Sequence, residues 1–293
     1  MLLSVVIRTL NEAKHLPALL AAIQSQVLGP HSCEVVLVDS GSTDATLQVA
    51  EQFNCRIVHI RKEDFSFGRS LNMGCQAANG DALVFVSGHC VPVNAQWLGK
   101  LVAPLGQDHV VYSYGGQVGD ESTHFSERQI FAKYFPAQSK VPQDGFYCNN
   151  ANSALLRSEW ELVRFDEDIT GLEDMFLAKE LVQRGRQLAY VADAKVFHLH
   201  DETWRQVRRR FEREAIALQR IMPEVHLGPL DVVRYAASAI LLDCGAALQE
   251  RSLLQHLPNI VAYRSNQFWG AYKGNHVHRQ LSRVAKERYY FPR

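Results

Sequence analysis

No C-x-x-C pair occurs among the six cysteines of this 293-residue chain, Cys33, Cys55, Cys75, Cys90, Cys148 and Cys244. Their scatter argues against a structural zinc site and a dense disulfide framework, and it fits a reducing compartment. Neither charge is in excess: Lys plus Arg number 31 and Asp plus Glu number 31. Whole-chain charge therefore gives no argument for nucleic acid. No apolar run nears the ~20 residues of a membrane span. The longest, Ala236 to Leu242, stops at Asp243. The N-terminus reaches Arg8 and Asn11 too soon for a signal peptide. Neither G-x-G-x-x-G nor G-x-x-x-x-G-K-[ST] is found, which removes the dinucleotide fingerprint and the P-loop. Repeats and low-complexity tracts are missing too. The expectation is a cytoplasmic, core-forming chain.

What is there is alternation. Leu2–Ile7, Cys33–Val38, Arg56–Ile60 and Ala82–Val86 are short runs rich in apolar and β-branched residues, of the kind that form strands buried on both faces. Between them, Leu16, Leu19, Leu20 and Ile23 recur at helical spacing, as do Leu47, Ala50 and Phe53 behind a capping Asp44. Ser66 to Ala78 reads as a further helix. Strand–helix alternation predicts a parallel sheet with crossover helices. Three strands end in polar clusters: RTLNE (8–12), DSGSTD (39–44) and SGHC (87–90). Ligands bind beyond the carboxyl ends of strands in such sheets, so the clusters are expected to build one pocket. Asp39 there can accept hydrogen bonds from a base or ribose, or simply close an Asx-turn. His89 is a site residue or a satisfied loop histidine.

Beyond residue 110 the pattern loosens. Val110–Val118 reads as a strand and 119–147 as a long loop with a short helix near Glu127–Tyr134. Loops of that length are usually lids or binding loops. Glu173 and Asp174 open a helix that ends near Gly185; carboxylates there either serve chemistry or favour the helix dipole. Leu188–Val196 is strand-like and runs into His198-Leu199-His200. Alternate strand residues share a face, so the two histidines can point together and ligate a metal, or lie on the surface. Trp204–Ile221 is a basic helix, and the chain after Pro229 reads as helical. From Arg251 onward, Arg264, Lys273, Arg279, Arg283, Lys286, Arg288 and Arg293 face only Glu287, with Tyr263, Phe268, Trp269, Tyr272, Tyr289, Tyr290 and Phe291 interleaved. This is either a packed tail with a solvated basic face or a contact for an anionic surface such as lipid headgroups.

In this order the pieces resemble the family 2 glycosyltransferases of GT-A fold. Thr9, Asn11 and Glu12 match T-x-N-E. Val38, Asp39, Gly41, Ser42 and Asp44 match V-D-x-G-S-x-D. Arg69, Asn72 and Gly74 match R-x-x-N-x-G, and Ala78, Gly80 and Asp81 match A-x-G-D. Glu173–Asp174 match the E-D pair, and Val196 with His198 the V-x-H. The resemblance covers about residues 3–215. The FSFGRSLNMGCQAANGD segment looks most like the bacterial rhamnosyltransferase branch.

The resemblance implies an α/β fold: a Rossmann-like, mostly parallel sheet flanked by helices, with a C-terminal helical extension. It implies a GT-A domain over 1–222, with a nucleotide-binding half to about 110 and an acceptor half from 111, then an extension over 223–293. It implies inverting transfer from a nucleotide-sugar to a glycan or lipid-linked acceptor in bacterial surface polysaccharide synthesis. The alternatives are a sugar-nucleotide-forming nucleotidyltransferase, which should carry a Gly-rich phosphate loop that is absent here, and a non-catalytic nucleotide- or glycan-binding subunit. Asp174 is the expected base, with Glu173 orienting it or the acceptor. Thr9, Asn11, Glu12, Asp39, Ser42, Arg69, Asn72, Asp81 and Ser87 are expected at the nucleotide-sugar. The family's D-x-D is replaced by Ser87-Gly88-His89. A divalent metal, Mn or Mg, would then rest on His89 and His198, and imidazole favours Mn. Without a metal, His89 or arginines would neutralise the leaving group. The basic extension would place the protein peripherally at the inner face of the plasma membrane.

Overall fold

The computed structural model describes residues 1–276 and 289–290. The first apolar run is β1 (Leu2–Thr9), followed by α1 (Leu16–Gln24), β2 (Ser32–Asp39), α2 (Thr46–Gln52), β3 (Arg56–His59), α3 (Phe67–Ala77) and β4 (Ala82–Ser87). This half has the expected alternation. Asp44 sits one residue before the cap position of α2, and its Oδ1 accepts from Thr46 N at 3.0 Å. Ser66 caps α3 through a bond from Arg69 N. Then come β5 (Cys90–Pro92), α4 (Trp97–Val102), β6 (Val110–Val118), α5 (Phe125–Tyr134), β7 (Lys140–Gln143), β8 (Asn152–Leu156), α6 (Arg157–Leu162), α7 (Glu173–Gln183) and β9 (Gln187–His198). The C-terminal helices are α8 (Trp204–Ile221), α9 (Pro229–Gln249) and α10 (Leu253–Asn275). The stretch 119–147 is thus a helix and a short strand joined by loops.

The chain divides into two compact units. The first holds Met1–Asp120, Phe135–Asp168 and Glu173–Leu199. Its nine-stranded sheet runs β3-β2-β1-β4-β8-β6-β9-β5, with β7 on β9. The half from β3 to β4 is parallel; β8 runs antiparallel between β4 and β6, and β6 pairs parallel with β9. The strands β1, β2, β4, β6 and β9 therefore all point the same way. Both faces are covered. Leu3, Val5 and Ile7 pack with Leu19 and Trp97 on one side, while Val6, Val36 and Phe85 pack with Leu71 and Leu177 on the other.

The second unit holds Glu121–Tyr134, Ile169–Leu172 and His200–Arg293. Within it α8 packs with α10. A Cβ at Gly270 would collide with the Arg208 carbonyl, and one at Gly274 with that of Glu212, so two glycines set this close approach. Thr203 and Gln206 form a reciprocal cap that starts α8 where the sequence pattern starts it. Glu127 of α5 is buried and accepts from His200 Nδ1 at 2.8 Å and Arg210 Nη2 at 2.7 Å. Glu127, His200 and Glu202 offer three ligand atoms together, but the Arg210 guanidinium, also bonded to Glu202 at 2.7 Å, already supplies the positive charge there. Arg279, Arg283, Lys286, Glu287, Arg288, Phe291 and Arg293 of the expected basic tail lie outside the described residues. Among the described residues, no helix is long and apolar enough to cross a membrane.

Candidate active site

Strand register decides which polar residues meet. Thr9 pairs with Asp39 between β1 and β2, and Arg8 with Ser87 between β1 and β4. The three clusters therefore emerge at one level of one sheet edge. Asn11 adopts φ 58°, a left-handed conformation that asparagine tolerates. This turns its backbone N–H to Ser42 Oγ at 2.9 Å and its Oδ1 to Thr43 N at 2.8 Å. Asp39 is buried, and Oδ2 accepts from Gly41 N at 2.9 Å and Ser42 N at 3.1 Å. The carboxylate thus fills the Asx-turn role. Thr9 is buried behind it, its hydroxyl on the Val38 carbonyl.

Glu12 links the first cluster to the third. Its Oε1 lies 2.9 Å from His89 Nδ1. His89 Nε2 lies 3.2 Å from His198 Nε2, and His198 Nδ1 lies 2.7 Å from Gln117 Oε1. Gln117 is oriented by donating its Nε2 to Asn149 Oδ1 at 3.0 Å. Each imidazole thus directs Nδ1–H at an acceptor, which leaves a lone pair on each Nε2. Two lone pairs facing each other at 3.2 Å repel unless something positive lies between them. The donor set fits a divalent transition metal: two nitrogens each about 2.1 Å from one ion are about 3.0–3.4 Å apart, and carbonyl or carboxylate partners on the far ring nitrogens are the usual outer shell. A shared proton is the other way to satisfy the pair. His198 is the histidine that faces His89 in this unit.

Glu173 and Asp174 open α7, and both are buried. Arg8, at the end of the central strand, donates to Glu173 Oε1 at 2.9 Å and lies over the Phe67 ring, 5.0 Å from its centroid. Asp174 Oδ2 accepts from Asn150 N and Oδ1 from Met175 N, each at 2.7 Å. Burial pushes the Asp174 carboxyl up to about 7, and the Glu173 charge adds to that; the two N–H bonds and Arg8 pull the other way. A carboxyl poised near neutrality is suited to taking a proton.

Two expected site residues lie elsewhere. Asp81 precedes β4, at the opposite edge of the sheet from Ser87, roughly 20 Å along a six-residue strand. Its Oδ2 accepts from Leu2 N at 3.0 Å and its N–H donates to the Leu2 carbonyl, so it fastens the start of β1. Asn72 is buried with both ends of its amide occupied: Oδ1 accepts from Trp160 Nε1 and Phe165 N, and Nδ2 donates to the Phe165 carbonyl and Glu167 Oε1. It clamps the segment before α7 and has no donor left over for a nucleotide. Arg69 is exposed on the first turn of α3, whose start adjoins Arg8 through the bond from Arg8 Nη1 to the Phe67 carbonyl. Arg8 was expected only as the first residue of the RTLNE cluster and not as the partner of Glu173; Gln117 and Asn149 were not anticipated. Their only sequence signals are a charge closing an apolar strand and polar residues inside otherwise apolar or small runs.

The profile described as Glycosyl transferase family 2 matches residues 4–162. The chain belongs to this family. It is a glycosyltransferase. Over 225 residues it is 27% identical to the O-antigen chain rhamnosyltransferase RfbN of Salmonella typhimurium, covering 72% of this chain and 70% of that protein. The mannosyltransferase PcManGT from Pyrobaculum calidifontis, solved in complex with GDP-Man and Mn2+, superposes with TM-score 0.63 at 18% identity, over 91% of this chain and 87% of that one. TarS 1-349 from S. aureus, solved with UDP-GlcNAc, gives TM-score 0.54 at 16% identity, over 95% and 93%. At these identities the two structures share the fold of this glycosyltransferase.

Proposed function

We propose that this glycosyltransferase is an inverting enzyme of bacterial surface polysaccharide synthesis. Its donor sugar is rhamnose, the sugar named in RfbN, and its acceptor is a glycan or lipid-linked glycan. The observation that carries the reading is Asp174: buried, held by two backbone N–H groups and raised to about 7 at the head of α7. Asp174 takes the proton of the acceptor hydroxyl as that oxygen attacks the anomeric carbon from the face opposite the leaving group. The bond from that carbon to the diphosphate oxygen breaks in the same displacement, and the nucleoside diphosphate leaves with the electron pair. Glu173, held by Arg8, orients the acceptor beside it. Asp39 accepts from the base or ribose, with Thr9, Asn11, Glu12 and Ser42 lining that end; Ser87 and the start of α3 with Arg69 border the diphosphate.

His89 and His198 are the residues that would hold a divalent cation, with Glu12 and Gln117 fixing the rings. When bound, such a cation supplies neutralisation of the diphosphate charge. A second reading rests on the same 3.2 Å pair: a protonated His89 serves as the cation itself. Activity after dialysis against a chelator separates the two. The extension contacts an anionic membrane surface, which keeps the protein peripheral at the inner face of the plasma membrane, where lipid-linked acceptors reside.

The test is a panel of nucleotide-sugars read by thermal shift, followed by proton NMR of the product's anomeric linkage. The reading expects stabilisation by a nucleotide-deoxyhexose and an inverted linkage. A retained configuration would refute it.

A further inference from the structure

The outer surface of the second unit is arranged the wrong way round for water. On α9, Leu230 is 85% exposed, Leu241 72% and Leu248 65%, with Val233 and Leu242 beside them; on α10, Leu254 is 91% exposed. Residues 230, 233, 237, 241 and 248 recur at helical spacing, so they form one stripe. Two charges of the same helices are withdrawn from that surface. Asp243 and Arg264 are both buried and joined by two bonds, Arg264 Nε to Oδ2 at 2.7 Å and Nη2 to Oδ1 at 2.8 Å. Asp231 turns back to cap Gly228 N at 2.9 Å. A contiguous apolar stripe of this size on a folded surface marks an interaction face.

Its charge selects the partner. Between residues 229 and 276 the exposed charges are Arg234, Glu250, Arg251 and Lys273, three cations to one acid. Arg234 stands on the apolar stripe itself. Further along α10, exposed Trp269 stacks on Tyr272, and Lys273 Nζ lies 5.8 Å from the Trp269 ring centroid. An aromatic pair beside a lysine is suited to the headgroup level of a bilayer, where the ring and the ammonium each find their solvent. A second copy docked on this face would bring like charges together. The chain beyond residue 276 adds Arg279, Arg283, Lys286, Arg288 and Arg293 against Glu287.

We propose that the outer face of α9 and the exposed side of α10 dock in the interface of an anionic bilayer, with the leucines among the acyl chains and Arg234, Arg251 and Lys273 at the lipid phosphates. This sharpens the membrane contact of the preceding reading. It is tested without donor or acceptor, so its failure would leave the transferase reading intact.

The experiment is co-sedimentation of the full chain with phosphatidylglycerol/phosphatidylcholine vesicles and with pure phosphatidylcholine vesicles, at low and high salt. Wild type should bind the anionic vesicles, more weakly at high salt. Leu241→Glu with Leu248→Glu should lower that binding by roughly tenfold or more, since both side chains leave the acyl region. Arg234→Glu with Arg251→Glu should weaken binding to anionic vesicles and leave the neutral ones unchanged. Both leucines are exposed, so circular dichroism taken in parallel should be unchanged, and the milder Leu241→Ser should lower binding in the same direction. A blue shift of tryptophan emission on adding anionic vesicles to wild type is expected. Equal binding by wild type and the leucine variants would overturn the proposal. So would a wild-type dimer in size-exclusion chromatography that Leu241→Glu with Leu248→Glu splits into monomers.

Discussion

Asp174→Asn keeps the shape of the carboxyl and removes its proton chemistry. Turnover should fall by ~10²–10⁴-fold, the usual scale for a positioned base. Donor affinity should stay near wild type, because the group faces the acceptor. Stability should move the other way. The folded carboxyl holds its proton up to about pH 7, whereas an unfolded Asp releases it near ~3.9. Between those values the folded state binds more protons than the unfolded one, so wild-type stability falls as pH rises through that window and levels off above it. Three units at 1.36 kcal/mol each come to about 4 kcal/mol at pH 8. Asn carries no charge to desolvate, but its single amide oxygen accepts from only one of the Asn150 and Met175 N–H groups, so it escapes part of that cost. Even half of it, about 2 kcal/mol, raises Tm by roughly 4–8 °C in a domain of this size. The assay is a pair of profiles, kcat/KM and Tm, over pH 4–9. Wild-type activity should be lost as pH falls through about 7, and the variant should lack that limb. Its gain in Tm over wild type should grow from pH 4 to 8. Turnover within a few-fold of wild type, with a Tm deficit at every pH, would refute the reasoning and leave Asp174 as a helix-start residue.

Asp39→Ala should weaken binding of the free nucleoside diphosphate by roughly 1.5–3 kcal/mol in calorimetry; unchanged affinity with a lowered Tm would confine Asp39 to its turn. His89→Asp should improve use of Mg relative to Mn, because oxygen ligands suit Mg, and full wild-type activity after dialysis against a chelator would contradict a metal on the His89–His198 pair. Asn72→Ala should cost about 2–4 kcal/mol of stability by leaving the Trp160 and Phe165 groups unpaired, with donor affinity close to wild type. A large loss of donor affinity at unchanged Tm would return Asn72 to the nucleotide site.

The parallel half of the sheet was legible because four short apolar runs end in polar clusters, and burial on both faces leaves few other folds for such runs. The start of α8 was legible because Thr203 and Gln206 carry its cap. The middle was harder. Asn152–Leu156 is too short to show a period, and α5 belongs to the second unit although it lies in the middle of the chain. Motif residues were legible as a set but not in their places. Asp81 and Ser87 bracket one strand, and only the direction of β4 says which of them reaches the site. Asn72 has the spacing of a binding residue and the surroundings of a clamp. The Arg8–Glu173 pair spans 165 positions, and no local pattern announces a contact of that range. The His89–His198 pair was expected on resemblance, yet Gln117, which orients His198, follows only from the register of β6 against β9, and Asn149, which holds Gln117, lies in the loop before β8.

The central claim is that this pocket performs sugar transfer, and it is tested most directly by nucleoside diphosphate release. Purified protein with a saturating nucleotide-sugar, Mn and acceptor glycan should release diphosphate in step with glycosylated product, and Asp174→Asn should release it at least ~10²-fold more slowly. Donor binding at ordinary affinity with no release above the protein-free rate, across a full donor and acceptor panel, would contradict the account and mark the protein as a binding subunit.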